Sequence, residues 1–194
     1  MIRIAIFASG SGSNAENIVL YFSGSKDIQI QRIYTNNPKA EVIDRANKLN
    51  IPSEVFSKTN LEEPNNLISK LEAEKIDFIV LAGFLLLIPL EIIEKFKGRI
   101  INIHPALLPL YGGKGFYGEK VHQAVISSGA IVSGITVHYV NERFDEGGII
   151  FQAACHVNRN ETPHSLAVKI HNLEYSYFPV VIDKLIRNLS FNKP

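Results

Sequence analysis

Asn102 and His104 carry the most suggestive chemistry in the chain. They lie in Arg99-Ile-Ile-Asn-Ile-His-Pro-Ala-Leu-Leu-Pro109, whose first five residues read as a buried strand that Pro105 stops. Side chains two apart on a strand share a face. The pair therefore projects together from the strand's carboxyl end. An amide donor beside a titratable imidazole suits a reaction in which a carbonyl oxygen gains negative charge and a proton moves. A third candidate, Asp145, sits in Phe144-Asp-Glu-Gly-Gly148. A carboxylate there can orient a histidine and stabilise its protonated form, with Glu146 as the alternative. Taken singly, an aspartate before glycines is also what a hairpin turn prefers.

The elements that must position these residues alternate in type. Strand-like runs cover Ile2–Ala8, Ile28–Tyr34, Ser53–Phe56, Phe78–Ala82 and Arg99–Ile103, and helical spacing covers Asn14–Phe22, Ala40–Leu49, Leu61–Glu74 and Leu90–Phe96. Phe78–Ala82 is continuously apolar, the mark of a strand buried on both faces. Repeated βα units imply an α/β, Rossmann-like fold: a mostly parallel sheet with helices on both faces. Tyr111–Gly118 holds four glycines in eight residues and reads as a loop. Glu119–Ser128 is helical in pattern, and Ala130–Val140 and Ile149–Val157 form a late, hairpin-like extension. Thr162–Leu189 reads as a long amphipathic helix. With no internal repeat, linker or low-complexity stretch, 1–194 reads as a single domain.

Gly10-Ser-Gly-Ser-Asn14 follows the first strand and opens the first helix. Backbone N–H groups at a helix N-terminus favour an anion, and Ser11, Ser13 and Asn14 add side-chain donors. With Ala15 the run satisfies G-x-G-x-x-A, but a dinucleotide site also expects a carboxylate after the second strand. The sequence there is Ile33-Tyr-Thr-Asn-Asn37, so Gly10, Ser11, Gly12, Ser13 and Asn14 suit a monophosphate better than a dinucleotide. In open α/β sheets ligands bind outside the carboxyl ends of strands. Gly10–Asn14, Ala82-Gly83-Phe84 and Asn102/His104 all fall at such ends.

Composition narrows the function classes. The 194 residues are 46% hydrophobic and 20% charged, with a net charge of +1. That is enough apolar material for a core, and no electrostatic footprint for nucleic acid or an anionic membrane. No apolar run reaches the ~20 residues of a membrane helix. The start, Met1-Ile-Arg-Ile-Ala-Ile-Phe-Ala8, is too short an apolar run for a signal peptide. Cys155 is the single cysteine, so no intramolecular disulfide forms. The expected setting is the cytoplasm. The six histidines are scattered, with no zinc spacing, and no metal is expected.

The motifs resemble the phosphoribosylglycinamide formyltransferase family. Gly10-Ser-Gly-Ser-Asn14, Leu81-Ala-Gly-Phe84, Asn102-Ile-His-Pro-Ala-Leu-Leu-Pro109, Gly134-Ile-Thr-Val-His138 and Asp145-Glu-Gly-Gly-Ile-Ile-Phe-Gln152 occur in that family's order, from Ile2 to about Pro179. The resemblance implies a transferase of purine biosynthesis that moves a formyl group from 10-formyltetrahydrofolate to the amine of glycinamide ribonucleotide. It assigns catalysis to Asn102, His104 and Asp145, and substrate phosphate and ribose binding to Gly10–Asn14, Gly83 and Glu174. Glu174 otherwise reads as an exposed helix carboxylate. Folate would lie against Leu85, Leu86, Leu87, Ile93, Ile100, Val140, Asn141 and Phe144. Two departures bear on folate: Leu86 stands where many relatives carry arginine, and the 111–118 loop is longer and richer in glycine. The implied partners are these small molecules, with the protein a monomer or homodimer.

Three rivals remain open. Another formyl enzyme of the same fold would act on charged tRNA or hydrolyse the folate; the former carries a basic carboxyl-terminal domain and the latter an amino-terminal one. A dinucleotide oxidoreductase lacks its acidic residue here. A non-catalytic nucleotide-binding module would have no need of Asn102, His104 and Asp145 together.

Overall fold

The structure is a computed structural model that describes residues 1–191. The chain divides into two compact units, one of Met1–Asn102 with Tyr139–Arg143, the other of Ile103–His138 with the chain from Phe144 onward. In strand order the sheet runs β3-β2-β1-β4-β5-β6-β7. The strands are β1 (Ile2–Phe7), β2 (Ile28–Thr35), β3 (Ser53–Val55), β4 (Phe78–Leu81), β5 (Ile100–His104), β6 (Val132–Tyr139) and β7 (Ile149–His156). The pairs β1–β2, β2–β3, β1–β4 and β4–β5 are parallel, and β6–β7 is antiparallel. The expected fold class is the one observed, including the late hairpin.

In the first unit, four crossover segments join successive parallel strands: α1 (Ser13–Phe22), α2 (Val42–Lys48), then α3 (Lys58–Glu62) with α4 (Asn65–Ala73), which carries the chain from the edge strand β3 across to β4, and α5 (Leu90–Lys95). The reversal of strand order at β1 makes it a switch point, the place where open α/β sheets bind ligands. All four residues of β4, Phe-Ile-Val-Leu, are buried, as a two-faced strand requires. Phe7, at the end of β1, stacks on Tyr34 with ring centroids 5.0 Å apart and meets Phe84 edge-on at 5.5 Å. These rings belong to a core cluster that also takes in Ile79, Leu81, Ile92 and Ile100.

One helix predicted over Leu61–Glu74 is in fact two, α3 and α4. Ser57 caps α3 by accepting from the Asn60 amide, and Asn60 returns a bond to the Ser57 amide. This capping box starts the helix earlier than its apolar periodicity does. Pro64 has no N–H to continue α3, and instead caps α4. A second shift concerns β5, which begins at Ile100 and includes His104, so the imidazole belongs to the strand and Pro105 follows directly.

In the second unit, α6 (Glu119–Ser127) and α7 (Pro163–Phe191) pack against one another, and α7 also contacts β7. Gly134 lets β7 approach: a Cβ there would lie 2.0 Å from the Ala153 carbonyl oxygen and 2.7 Å from Leu107 Cδ2. Thr136 Oγ1 donates to the Ala106 carbonyl at 2.7 Å and accepts from the Leu108 amide at 3.0 Å. Gln152 Nε2 donates to both Thr136 Oγ1 and the Leu108 carbonyl. The turn after His104 is thereby pinned to the hairpin by buried bonds. Among the described residues no helix is long and apolar enough to cross a membrane.

His122, on α6, is 4% exposed. Its Nδ1 has no hydrogen-bond partner among the described residues. Burial, then the nearby His171 and His104, push its pKa down to about 4. The unfolded chain takes up this proton near the ordinary histidine value of about 6.5, while the native state refuses it until about pH 4. The unfolded state therefore binds more protons in that window, and stability is lost as pH falls through it. Urea unfolding from pH 7 to 4 should show this slope. In His122→Leu it should flatten by up to one proton, about 1.4 kcal/mol per pH unit. An unchanged slope would show that His122 does not contribute.

Candidate active site

The glycine loop is built from both ends. Gly12 has φ +75° and caps α1 with backbone alone. Its position leaves no space for a side chain, since a Cβ would lie 2.3 Å from Val42 Cγ2. The Gly10 carbonyl accepts from the Val42 amide at 3.2 Å, and the Ser11 carbonyl accepts from Arg45 Nε at 2.8 Å. Arg45 is itself paired with Glu16. Ser11 is exposed, Ser13 half-buried and Asn14 buried.

Ser9, which the sequence did not single out, ties three strand ends together. It is 6% exposed. Its hydroxyl donates to Asn36 Oδ1 at 2.6 Å and accepts from the Leu85 amide at 3.0 Å. Its amide donates to the carbonyl of Gly83, which takes φ +73°. Its one sequence signal was its place directly before the glycine loop. Asn102 sits opposite Leu81 in the β4–β5 register, next to the turn that Gly83 makes.

Of the other expected ligand residues of this unit, Leu85 and Leu87 are exposed, and Leu86, Ile93 and Val140 are partly buried against the core cluster. Ile100 is a member of that cluster, 2% exposed. Asn141 is half-buried and accepts from the Arg143 amide at 3.1 Å.

In the second unit the structure brings His104 and Asp145 together. His104 Nδ1 lies 3.4 Å from Asp145 Oδ2, with both side chains at most 10% exposed. His104 Nε2 lies 2.8 Å from the Tyr111 carbonyl oxygen. A carbonyl can only accept, so Nε2 carries the proton and Nδ1 faces the carboxylate. Burial pushes the His104 pKa below its ordinary value, while Asp145 and the Tyr111 carbonyl pull it back up and His138 adds to the lowering.

Asp145 has φ +59°, a left-handed conformation that aspartate tolerates better than most residues. Burial alone would raise its pKa. A hydrogen bond from His138, the His104 charge and the Gly113 amide at 2.9 Å outweigh burial and lower it. His138 Nε2 stands 3.6 Å from Asp145 Oδ1. The sequence showed His138 in a motif but gave it no role, because its partner lies across the hairpin loop. Phe144 is half-buried. Glu174 is 5% exposed, so it is not the exposed helix carboxylate that its own stretch of sequence suggests. Cys155 is half-buried on β7 with its pKa raised by burial, the environment of an inert thiol. Among the described residues no three His, Cys, Asp or Glu side chains gather as a metal ion would require.

A histidine and a buried, ionised aspartate at the carboxyl ends of strands in a mostly parallel sheet are fit for acyl-group transfer. The chain belongs to the formyl transferase family, whose model matches residues 2–182. Proteins similar to it include phosphoribosylglycinamide formyltransferases. The chloroplastic enzyme of Arabidopsis thaliana is 42% identical over 186 residues, which cover 93% of this chain and 64% of that protein. The chain thus spans under two thirds of this plant relative. The Bacillus subtilis enzyme is 36% identical over 191 residues, covering 96% of this chain and 95% of its own. The solved structure of glycinamide ribonucleotide transformylase 1 from Geobacillus kaustophilus superposes with a TM-score of 0.87 at 34% identity, covering 95% of this chain and 98% of that one.

Gly12→Ala tests the loop. The left-handed backbone and the contact with Val42 together should destabilise the protein by about 2–4 kcal/mol. Chemical denaturation measures this, and a loss below about 1 kcal/mol would mean the loop relaxes freely.

Proposed function

We propose that this chain transfers the formyl group of 10-formyltetrahydrofolate to the amine of glycinamide ribonucleotide, giving formylglycinamide ribonucleotide and tetrahydrofolate in purine biosynthesis. Residues 1–194 would act as one formyltransferase domain in the cytoplasm, as a monomer or homodimer. The observation that carries the proposal is the buried His104–Asp145 pair, at 3.4 Å, with Asn102 two residues earlier on the same strand.

The amine nitrogen attacks the formyl carbon, and the carbonyl electrons move to oxygen. Asn102 donates to that oxyanion, a contribution of ~10²–10³ in rate for one donor. The attacking nitrogen then loses a proton. Neutral His104 can take it at Nδ1, where Asp145 stabilises the resulting imidazolium. The protonated His104 passes that proton to the folate nitrogen as its bond to the formyl carbon breaks, and the carbonyl reforms. Gly10–Asn14 would hold the substrate phosphate at the start of α1, with Gly83 beside it and Glu174 on the ribose hydroxyls. Leu85, Leu86, Leu87, Ile93, Ile100, Val140, Asn141 and Phe144 would contact the folate. Leu86 cannot supply a charged contact.

The deciding measurement is deformylation of 10-formyl-5,8-dideazafolate, followed by absorbance with and without glycinamide ribonucleotide. Loss of formyl that requires the ribonucleotide supports the transferase, whereas loss without it indicates a hydrolase. In that assay Asn102→Ala should lower kcat ~10²–10³-fold with little change in KM, because its bond forms mainly in the transition state. An unchanged kcat would refute its role. The lowered His104 pKa also sets a pH profile. Activity should persist as pH falls past 6.5 and decline only below it, as the ring becomes protonated before it can accept a proton.

A further inference from the structure

The peptide from Tyr111 to Gly113 touches both members of the His104–Asp145 pair through its backbone. The Tyr111 carbonyl accepts from His104 Nε2 at 2.8 Å, and the Gly113 amide donates to Asp145 Oδ2 at 2.9 Å. The first contact keeps one proton on Nε2 and leaves Nδ1, beside Asp145, as the nitrogen that gains or loses one. The segment has little slack. A Cβ on Gly112 would lie 2.4 Å from Leu108 Cδ2 and 3.2 Å from Asp145 Cβ.

The segment is also strained. Tyr111 has φ +55° and Gly113 φ +92°. A left-handed backbone disfavours a residue with a Cβ, so Tyr111 holds this conformation only if its surroundings impose it. Beyond it, 114–118 is exposed, with further left-handed glycines at Gly115 and Gly118. It returns a backbone bond to the segment from the Phe116 amide to the Gly113 carbonyl at 3.1 Å. Besides these backbone contacts, what ties Tyr111 down is its own side chain, whose hydroxyl lies 2.7 Å from Ser128 Oγ. Ser128 Oγ donates to the Val125 carbonyl at 2.7 Å, so the Tyr111 hydroxyl is the donor in their bond. Ser128 closes α6, with its amide bonded to the Ala124 carbonyl at 3.0 Å.

We infer that Tyr111 is a positioning residue: its hydroxyl, anchored on Ser128 at the end of α6, holds the 111–113 backbone against His104 and Asp145 and so fixes which ring nitrogen of His104 exchanges a proton. The inference rests on the proposed formyl transfer for its kinetic consequence but not for its structural one. Tyr111→Phe keeps the ring and the carbonyl and removes only the anchor, and Ser128→Ala removes it from the other side.

Nitrogen NMR of the imidazoles in the full chain reads the state of His104 directly. In the native protein the neutral ring should be a single Nε2–H tautomer. In each variant it should become a mixture, with a displaced titration midpoint. The other titratable groups facing this ring, Asp145, His138 and His122, are unchanged in both variants. With both substrates, kcat should fall about 3–10-fold with KM for the ribonucleotide unchanged, the loss of one ordinary hydrogen bond's worth of positioning. The double variant should lose no more than either single one, since all three break the same bond.

An unaltered tautomer and midpoint in both variants would overturn the inference, as would additive losses in the double variant. Should Tyr111→Phe fail to fold, Ser128→Ala gives the same spectroscopic comparison with the tyrosine intact. A native protein without formyl transfer would sink the proposed function, while the NMR comparison would still decide the role of Tyr111.

Discussion

Asp145 keeps its charge in a place where burial opposes it, and much of the second unit is arranged around that fact. Its side chain is 10% exposed. A buried carboxylate without compensation would protonate instead. Three groups from three places prevent this: His104 at the end of β5, His138 near the end of β6, and the Gly113 amide in the loop between them. Each imposes a local requirement. The β5 strand must run through His104. Gly112 must lack a side chain. Asp145 itself must adopt a left-handed backbone to face two histidines at once. Removing one partner from such a cluster typically costs several kcal/mol, because the remaining charge stays buried.

The first unit solves a different problem, which is to bring polar groups to the rim of a fully apolar layer. Phe7 and Tyr34 fill the space below the carboxyl ends of β1 and β2, and the chain turns polar within two residues of each. Ser9 makes that change of character orderly. Its single hydroxyl links the end of β2 to the turn after β4 and satisfies a backbone donor there. The glycine loop then starts from a fixed point, with the close approach of Val42 defining its path.

How much of this was legible depended on whether an interaction runs through side chains near in sequence. The strands were, because Phe78–Leu81 is a continuous apolar run, as a two-faced strand requires, and Ile100–Ile103 is one broken only by Asn102. Asn102 and His104 were, because a spacing of two on a strand is itself geometry. Asp145 was legible as a candidate to orient a histidine, with His104 in view, but their distance was not, since 41 residues separate the two and no local pattern spans them. His138 was missed for the same reason. The contacts of Tyr111 and Gly113 are made by backbone atoms, which every residue carries, so the residue types hardly mark them. Glu174 looked solvent-facing in its own helix, and only tertiary packing buries it. The division between α3 and α4 was different: Ser57, Asn60 and Pro64 all signal it, but apolar periodicity alone runs across them.

The strand order also dictates when parts of the molecule can form. The β1–β2 pair joins Ile4 to Ile30, a short loop to close, but β1 meets β4 by joining Ile4 to Phe78. Non-local parallel pairing of this kind must lose chain entropy before any contact offsets it, which makes such sheets slow to fold. The β1–β2 unit and its glycine loop can assemble from nearby residues. The β5 strand that carries Asn102 and His104 pairs with β4, so it joins the β1–β2 pair only once β4 has found β1. Until then, Phe78–Leu81 and Ile100–Ile103 are apolar strands outside the β1–β2 pair, and such segments are open to wrong pairing with another molecule.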